Sequence, residues 1–138
     1  MINIFQPSLG EKELNKIKEV FDSNWLGRGS VVHEFEAKFA ENLSSNKDNF
    51  YATTCCTEGL FLAAELFNFQ PEDEIIVPTI SFIAAGSAVV NAGAKLVLCD
   101  VDKRSLNATV ETISEKITRN TKAIILNHYG GHPCDMDD

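Results

Sequence analysis

The chain has 138 residues, a formal net charge of -8, 44% hydrophobic and 23% charged residues. That composition is ordinary for a folded domain and excludes disorder or a low-complexity architecture. An acidic chain without a basic run also argues against nucleic acid or an anionic membrane as its main partner.

The opening, MINIFQPSLGEKEL, lacks the basic and apolar regions of a secretory leader. No apolar stretch reaches the roughly 18 residues of a membrane span; residues 80–94 come nearest and are broken by Ser, Asn and Gly. The expected location is the cytoplasm, where Cys55, Cys56, Cys99 and Cys134 stay reduced. None belongs to a CxxC pair or a ligand cluster, so no metal is expected. Adjacent cysteines diverge along the backbone and make a poor disulfide. Cys99 reads as a small buried residue of a strand.

The first third reads as two amphipathic helices. Ser8 and Glu11 have capping-box spacing, and Leu14, Ile17 and Phe21 share one helical face. After the loop SNWLGRGS, Ser30 is placed to cap a second helix with a stripe of Val32, Phe35, Phe39 and Leu43. NLSSNKDN then closes the unit with turn chemistry.

From Asn49 a regular alternation begins. A short strand, NFYAT, leads through CCTEG into the helix TEGLFLAAELF, which is apolar on nearly every side and is therefore expected to be buried. QPED is a turn. The strand EIIV stops at Pro78, Ser81 starts the helix FIAAGSAVVNAG, and Gly93 is placed to end it. KLVLCDV is the next strand, followed by a helix with Val110, Ile113 and Ile117 on one face, and by the strand KAIILNH. Strands of continuous Ile, Val and Leu between helices predict an α/β fold built of βαβ units, with a mostly parallel sheet and helices on both faces. The expected division is a helical segment over residues 1–48 and a partial large α/β domain over 49–138. Because YGGHPCDMDD carries helix-start signals without a helix after them, Asp138 is expected to be a truncation point.

In such a sheet ligands gather beyond the carboxyl ends of the strands. The loops TTCCTEG, PTISF, DVDKRS and NHYGGHP are therefore expected to face one region. TTCCTEG opens a helix, whose free amides and partial positive charge suit a phosphate better than a metal. Thr57 adds a hydroxyl donor and Gly59 leaves room in the first turn. The local sequence leaves two readings open: an anion cradle, or a helix merely capped by Thr54 or Thr57. Phe82, at a strand end, is placed to lie against a flat heteroaromatic ligand, although taken alone such a ring reads as core packing. His128 reads as a structural hydrogen-bonding residue, His33 beside Glu36 as solvated, and His132 as part of its turn. Glu111 and Glu115 read as a wet helix face.

The run from TTCCTEGLFLAAELF through EDEIIVPTISF to KLVLCDVDKRSLN, followed by ITRNTKAIILNHYGGHPCDMD, resembles the DegT/DnrJ/EryC1/StrS aminotransferases, pyridoxal-phosphate enzymes that mostly make amino sugars. NWLGRGSVVHEFEAKFAE is similar to that family's segment ahead of the large domain. The resemblance covers nearly the whole chain in order. It implies part of the large domain of a type I pyridoxal-phosphate-dependent transferase, with pyridoxal 5'-phosphate as cofactor. It places the phosphate-binding loop on Cys55, Cys56 and Thr57 and the stacking ring on Phe82, so that Cys56, Thr57 and Phe82 are the implied cofactor-binding residues. Cys56 stands where that loop usually has glycine; a cysteine still offers its amide where φ is negative. Residues 25–29 are implied to lie near the active site and the dimer partner.

Transamination also needs a lysine that forms a Schiff base with the cofactor and an acidic group at the pyridine nitrogen. The family carries both downstream of the GHPCDMD stretch. The nine lysines here, from Lys12 to Lys122, are all expected on surface helices, strand starts or exposed segments. The catalytic lysine is thus expected beyond residue 138, with no catalytic residue inside the chain and no activity from this piece alone. The implied parent is a homodimer that moves an amino group, from glutamate, to a keto group of a nucleotide-linked sugar for amino-sugar and cell-surface polysaccharide synthesis. Two other readings stand beside it: a non-catalytic pyridoxal-phosphate- or phosphate-binding sensor or regulator of the same fold, and an unrelated phosphate-binding Rossmann-like domain.

Overall fold

The computed structural model describes residues 6–137, so Asp138, the expected truncation point, lies outside the described residues, as do the first five residues of the opening stretch. The chain divides between Ala52 and Thr53 into two compact units.

The first unit holds α1 (Glu11–Asp22), α2 (Ser30–Asn42) and a 3-10 turn at Lys47–Asn49. Both helices start one position or more away from the predicted caps. α1 is entered from Gly10 rather than Ser8, because Glu13 reaches back and accepts the Gly10 N–H at 2.8 Å. α2 is entered from Gly29, which leaves Ser30 as its first helical residue. The apolar stripes form as the periodicity predicts, but Leu14, Ile17, Phe21, Phe35, Phe39 and Leu43 are exposed. On α2 the buried positions are instead Glu36 and Ala40. Phe39 packs edge-on against Phe50, with ring centres 5.5 Å apart.

The predicted strand NFYAT is not a strand. Phe50 is extended, but a ladder needs a neighbour for each N–H, and the Ala52 N–H goes to the Glu36 carboxylate at 2.8 Å.

The second unit runs α3 (Cys56–Leu66), β1 (Glu74–Pro78), α4 (Ile83–Asn91), β2 (Lys95–Cys99), α5 (Val110–Ser114) and β3 (Thr121–Ile124). Among the described residues the sheet is therefore three-stranded rather than four-stranded, in the order β2-β1-β3, and both pairings are parallel. β1 lies at its centre and is buried along its length. Alternate side chains of β1 serve opposite faces, as the pleat requires. Ile75 and Val77 pack with Ala85 and Val89 of α4, while Ile76 packs with Cys99, Ala108 and Ile113 of α5. The sheet thus has helical cover on both faces. Gly93 takes φ +79 just past α4 and ends it as expected. Phe82, not Ser81, is the residue through which the chain enters that helix.

α3 corrects another expectation. Its apolar circumference predicted burial, yet only Ala64 is buried, and Leu66 and Phe67 are exposed. It packs on α4, which in turn lies against the sheet, so one helix covers one of its faces. α5 is short: it is fixed by reciprocal bonds between Thr109 and Thr112, and Ile117 falls beyond its end.

Candidate cofactor site

Parallel strands place the loops after β1, β2 and β3 at one end of the sheet. Two buried or half-buried amides knit them together. Asn107 donates from Nδ2 to the His132 carbonyl at 2.9 Å and accepts the Tyr129 N–H at 2.9 Å, which joins the loop after β2 to that after β3. Asn127 donates from Nδ2 to the Ile80 carbonyl at 3.3 Å, which joins the loops after β3 and β1. His128 has the structural role expected of it: its Nδ1 accepts the Cys134 N–H at 3.0 Å. His33 is exposed, with Nδ1 3.4 Å from Glu36 Oε2. Glu111 and Glu115 are exposed.

The TTCCTEG loop is organised by Glu58, a residue outside the set the motif implies. Glu58, in the first turn of α3, accepts from both the N–H and the Oγ1 of Thr54 at 2.7 and 2.6 Å. The Thr54 hydroxyl and then its amide hold the Glu58 carboxyl below the usual carboxylate range. The spacing was the available signal, since a glutamate at the third helical position commonly bonds back across the helix start. Thr53 Oγ1 donates to the Cys55 carbonyl at 2.9 Å. Cys55 is the extended residue that enters the helix, and no side chain caps it. Neither Thr54 nor Thr57 is the cap, because Thr54 is tied to Glu58 and Thr57 lies inside the first turn. The first helical bond runs from the Gly59 N–H to the Cys55 carbonyl at 3.3 Å, so the amides of Cys56, Thr57 and Glu58 have no acceptor within the helix.

Cys55 and Cys56 are exposed free thiols, so the mouth of α3 is open, whereas Cys99 and Cys134 are buried. Burial pushes the Cys99 thiol up. Thr57 is half-buried. Phe82 is 74% exposed and packs into neither core of the second unit. It lines an open groove of about 610 Å³ together with Pro78, Thr79, Gly86 and Phe61. Phe61, one turn along α3 from Thr57, is the residue of that helix on the groove; Cys56 and Thr57 themselves do not line it.

Open first-turn amides, a hydroxyl in the same turn and an exposed ring just ahead of the neighbouring helix fit a ligand with a phosphate and a flat ring. Every lysine is exposed apart from the half-buried Lys116. Lys16, Lys18, Lys38 and Lys95 are paired with Glu19, Asp22, Glu34 and Glu74. No helix among the described residues is long and apolar enough to cross a membrane.

The parallel sheet, with polar loops at its carboxyl end and helices on both faces, places the protein in the α/β class. Residues 7–138 match the model of the DegT/DnrJ/EryC1/StrS aminotransferase family, and the chain belongs to that family. It is 44% identical over 136 residues to a dTDP-4-dehydro-2,3,6-trideoxy-D-glucose 4-aminotransferase of Saccharopolyspora spinosa, covering 99% of this chain and 35% of that protein. The crystal structure of the aminotransferase TlmJ from Streptoalloteichus hindustanus superposes with a TM-score of 0.88 at 49% identity, over 94% of this chain and 35% of that one. Spr1654 from Streptococcus pneumoniae, solved in a PLP-form and a PMP-form, superposes with TM-scores of 0.84 and 0.82 at 25% identity, over 99% of this chain and 34% of that one. Aminotransferases of this family are pyridoxal-phosphate dependent. The chain spans about a third of the length of the relatives it matches.

Proposed function

We propose that this chain is the N-terminal part of a pyridoxal-phosphate-dependent aminotransferase that transfers an amino group, from glutamate, to a keto group of a nucleotide-linked sugar. The observation that carries the reading is the uncapped start of α3 at Cys56 and Thr57, with the exposed ring of Phe82 at the entry to α4, the helix packed beside it. In this reading the Cys56 and Thr57 amides and the Thr57 hydroxyl hold the cofactor phosphate. Phe82 lies against the ring, and Glu58 keeps the loop fastened through Thr54. Bound pyridoxal phosphate supplies the electron sink and the carbonyl through which amino groups are exchanged. The lysine that anchors it belongs to a part of the protein outside this chain, in keeping with the exposure of the lysines present. The full-length enzyme is a homodimer of the cytoplasm, and its products are amino sugars for surface polysaccharides or related glycans.

The test is made on the full-length protein. Reconstitution with pyridoxal phosphate, followed by incubation with glutamate and a dTDP-linked 4-keto sugar, is expected to yield 2-oxoglutarate and an amino sugar in equal amounts by mass spectrometry. Cofactor uptake without amino transfer would favour a sensor of the same fold. Absence of uptake would end both readings.

A further inference from the structure

The first unit holds a cluster that the cofactor site does not use. Trp25 and Tyr51 are each 65% exposed, yet both rings are fastened. Trp25 Nε1–H donates to the Arg28 carbonyl at 3.1 Å, and the Trp25 N–H donates to Ser23 Oγ at 3.2 Å. A Cβ on Gly29 would come within 2.6 Å of Trp25 Nε1, so a glycine there is what lets the indole take this position. The Arg28 guanidinium lies 4.5 Å from the centre of the Tyr51 ring. Its Nη2 donates to both oxygens of Glu36, at 2.6 and 2.8 Å. Glu36 is 6% exposed and also accepts the N–H of Ala52, the residue next to Tyr51.

Ordering a large side chain costs conformational entropy, and an exposed ring recovers little of it through burial. Two exposed rings held by one arginine, Trp25 at its carbonyl and Tyr51 at its guanidinium, offer a ligand a partly ordered surface. Ring faces accept a flat base by stacking. Because both bonds to Glu36 come from Nη2, the Nε and Nη1 donors of Arg28 remain to meet an anion. Two rings and one cation match a base and its first phosphate, whereas a stable protein interface takes roughly 800 Å² from each partner.

We propose that Trp25, Tyr51 and Arg28 form the platform for the base and adjoining phosphate of a nucleoside diphosphate group on the substrate. The inference rests on the nucleotide-sugar reading above and adds the residues of this chain that select the nucleotide end.

The probe is dTDP alone, titrated calorimetrically into the full-length protein while cofactor content is followed by absorbance. Trp25→Ala and Tyr51→Ala are each expected to weaken dTDP binding by roughly tenfold, and Trp25→Phe to retain most of the affinity. KM for the nucleotide sugar rises in the alanine variants, while kcat, bound cofactor and melting temperature hold. Affinity within twofold of the parent in both alanine variants overturns the platform, as does a parent that takes up cofactor but does not bind dTDP. If Trp25→Ala instead splits a dimer and leaves dTDP affinity unchanged, the surface belongs to a second copy and the proposal fails. Failure of cofactor uptake sinks the enzyme and sensor readings above and leaves the platform standing or falling on the dTDP titration.

Discussion

Glu36 sits on the polar side of a predicted amphipathic helix, yet it is buried, because an amide and an arginine converge on it. The Ala52 N–H and then the Arg28 guanidinium bring its pKa down to about 2. The folded value lies below the unfolded one, so the stabilisation is fully present above the ordinary glutamate value of about 4.3 and is lost as pH falls through about 2. Glu36→Gln should therefore melt below the parent at neutral pH, by about 5 °C. It should also lose less stability than the parent between about pH 5 and pH 2.5, a comparison thermal scans can make directly. Thr57 is tested through the cofactor: Thr57→Val should raise the pyridoxal-phosphate dissociation constant of the full-length protein about tenfold, the effect of one lost charge-assisted hydrogen bond. An affinity equal to the parent's would leave Thr57 without a role in the cradle. Phe82→Ala should likewise reduce cofactor retention, while the cofactor-free protein melts as the parent does, because the ring it removes is exposed. The positions of Thr57 and Phe82 were legible from the sequence, since each follows a local punctuation mark. Glu36 was not, because its partners Arg28 and Ala52 come from other segments of the chain.

Among the elements, α4 was the most legible. Its apolar run stops at a glycine, and Gly93 takes φ +79, where a side chain is strained. No heavy atom crowds a Cβ at this position. Gly93→Ala should thus destabilise the second unit by roughly 1 kcal/mol through backbone strain alone, measurable by denaturant titration. β1, β2 and β3 were equally plain as runs of Ile, Val and Leu. The stretch NFYAT has the same strand character and forms none, because a strand exists only where a neighbour accepts its amides, and here Glu36 takes that of Ala52. α3 makes a related point. Its composition states that it needs cover, but not which surface supplies it, and in this chain α4 covers one side.

For the second unit as a whole, stability rests on β1, whose alternate residues enter the two separate cores. Ile76→Ala removes a fully buried side chain from the face shared with Cys99 and Ala108. It should cost about 2–5 kcal/mol, seen as a lowered denaturation midpoint. The same loss should follow at Ile75 on the opposite face, since neither core backs the other.

By itself, the sequence determined the α/β class, the strands β1, β2 and β3 and the glycine that ends α4, because each depends on periodicity and on the φ preferences of nearby residues. The order β2-β1-β3, the absence of the expected fourth strand, the exposure of α3 and the fastening of Trp25, Arg28 and Tyr51 by Glu36 were decided only by the tertiary structure. Those features depend on which distant groups meet to exchange hydrogen bonds and exclude water, and no local pattern encodes such a meeting.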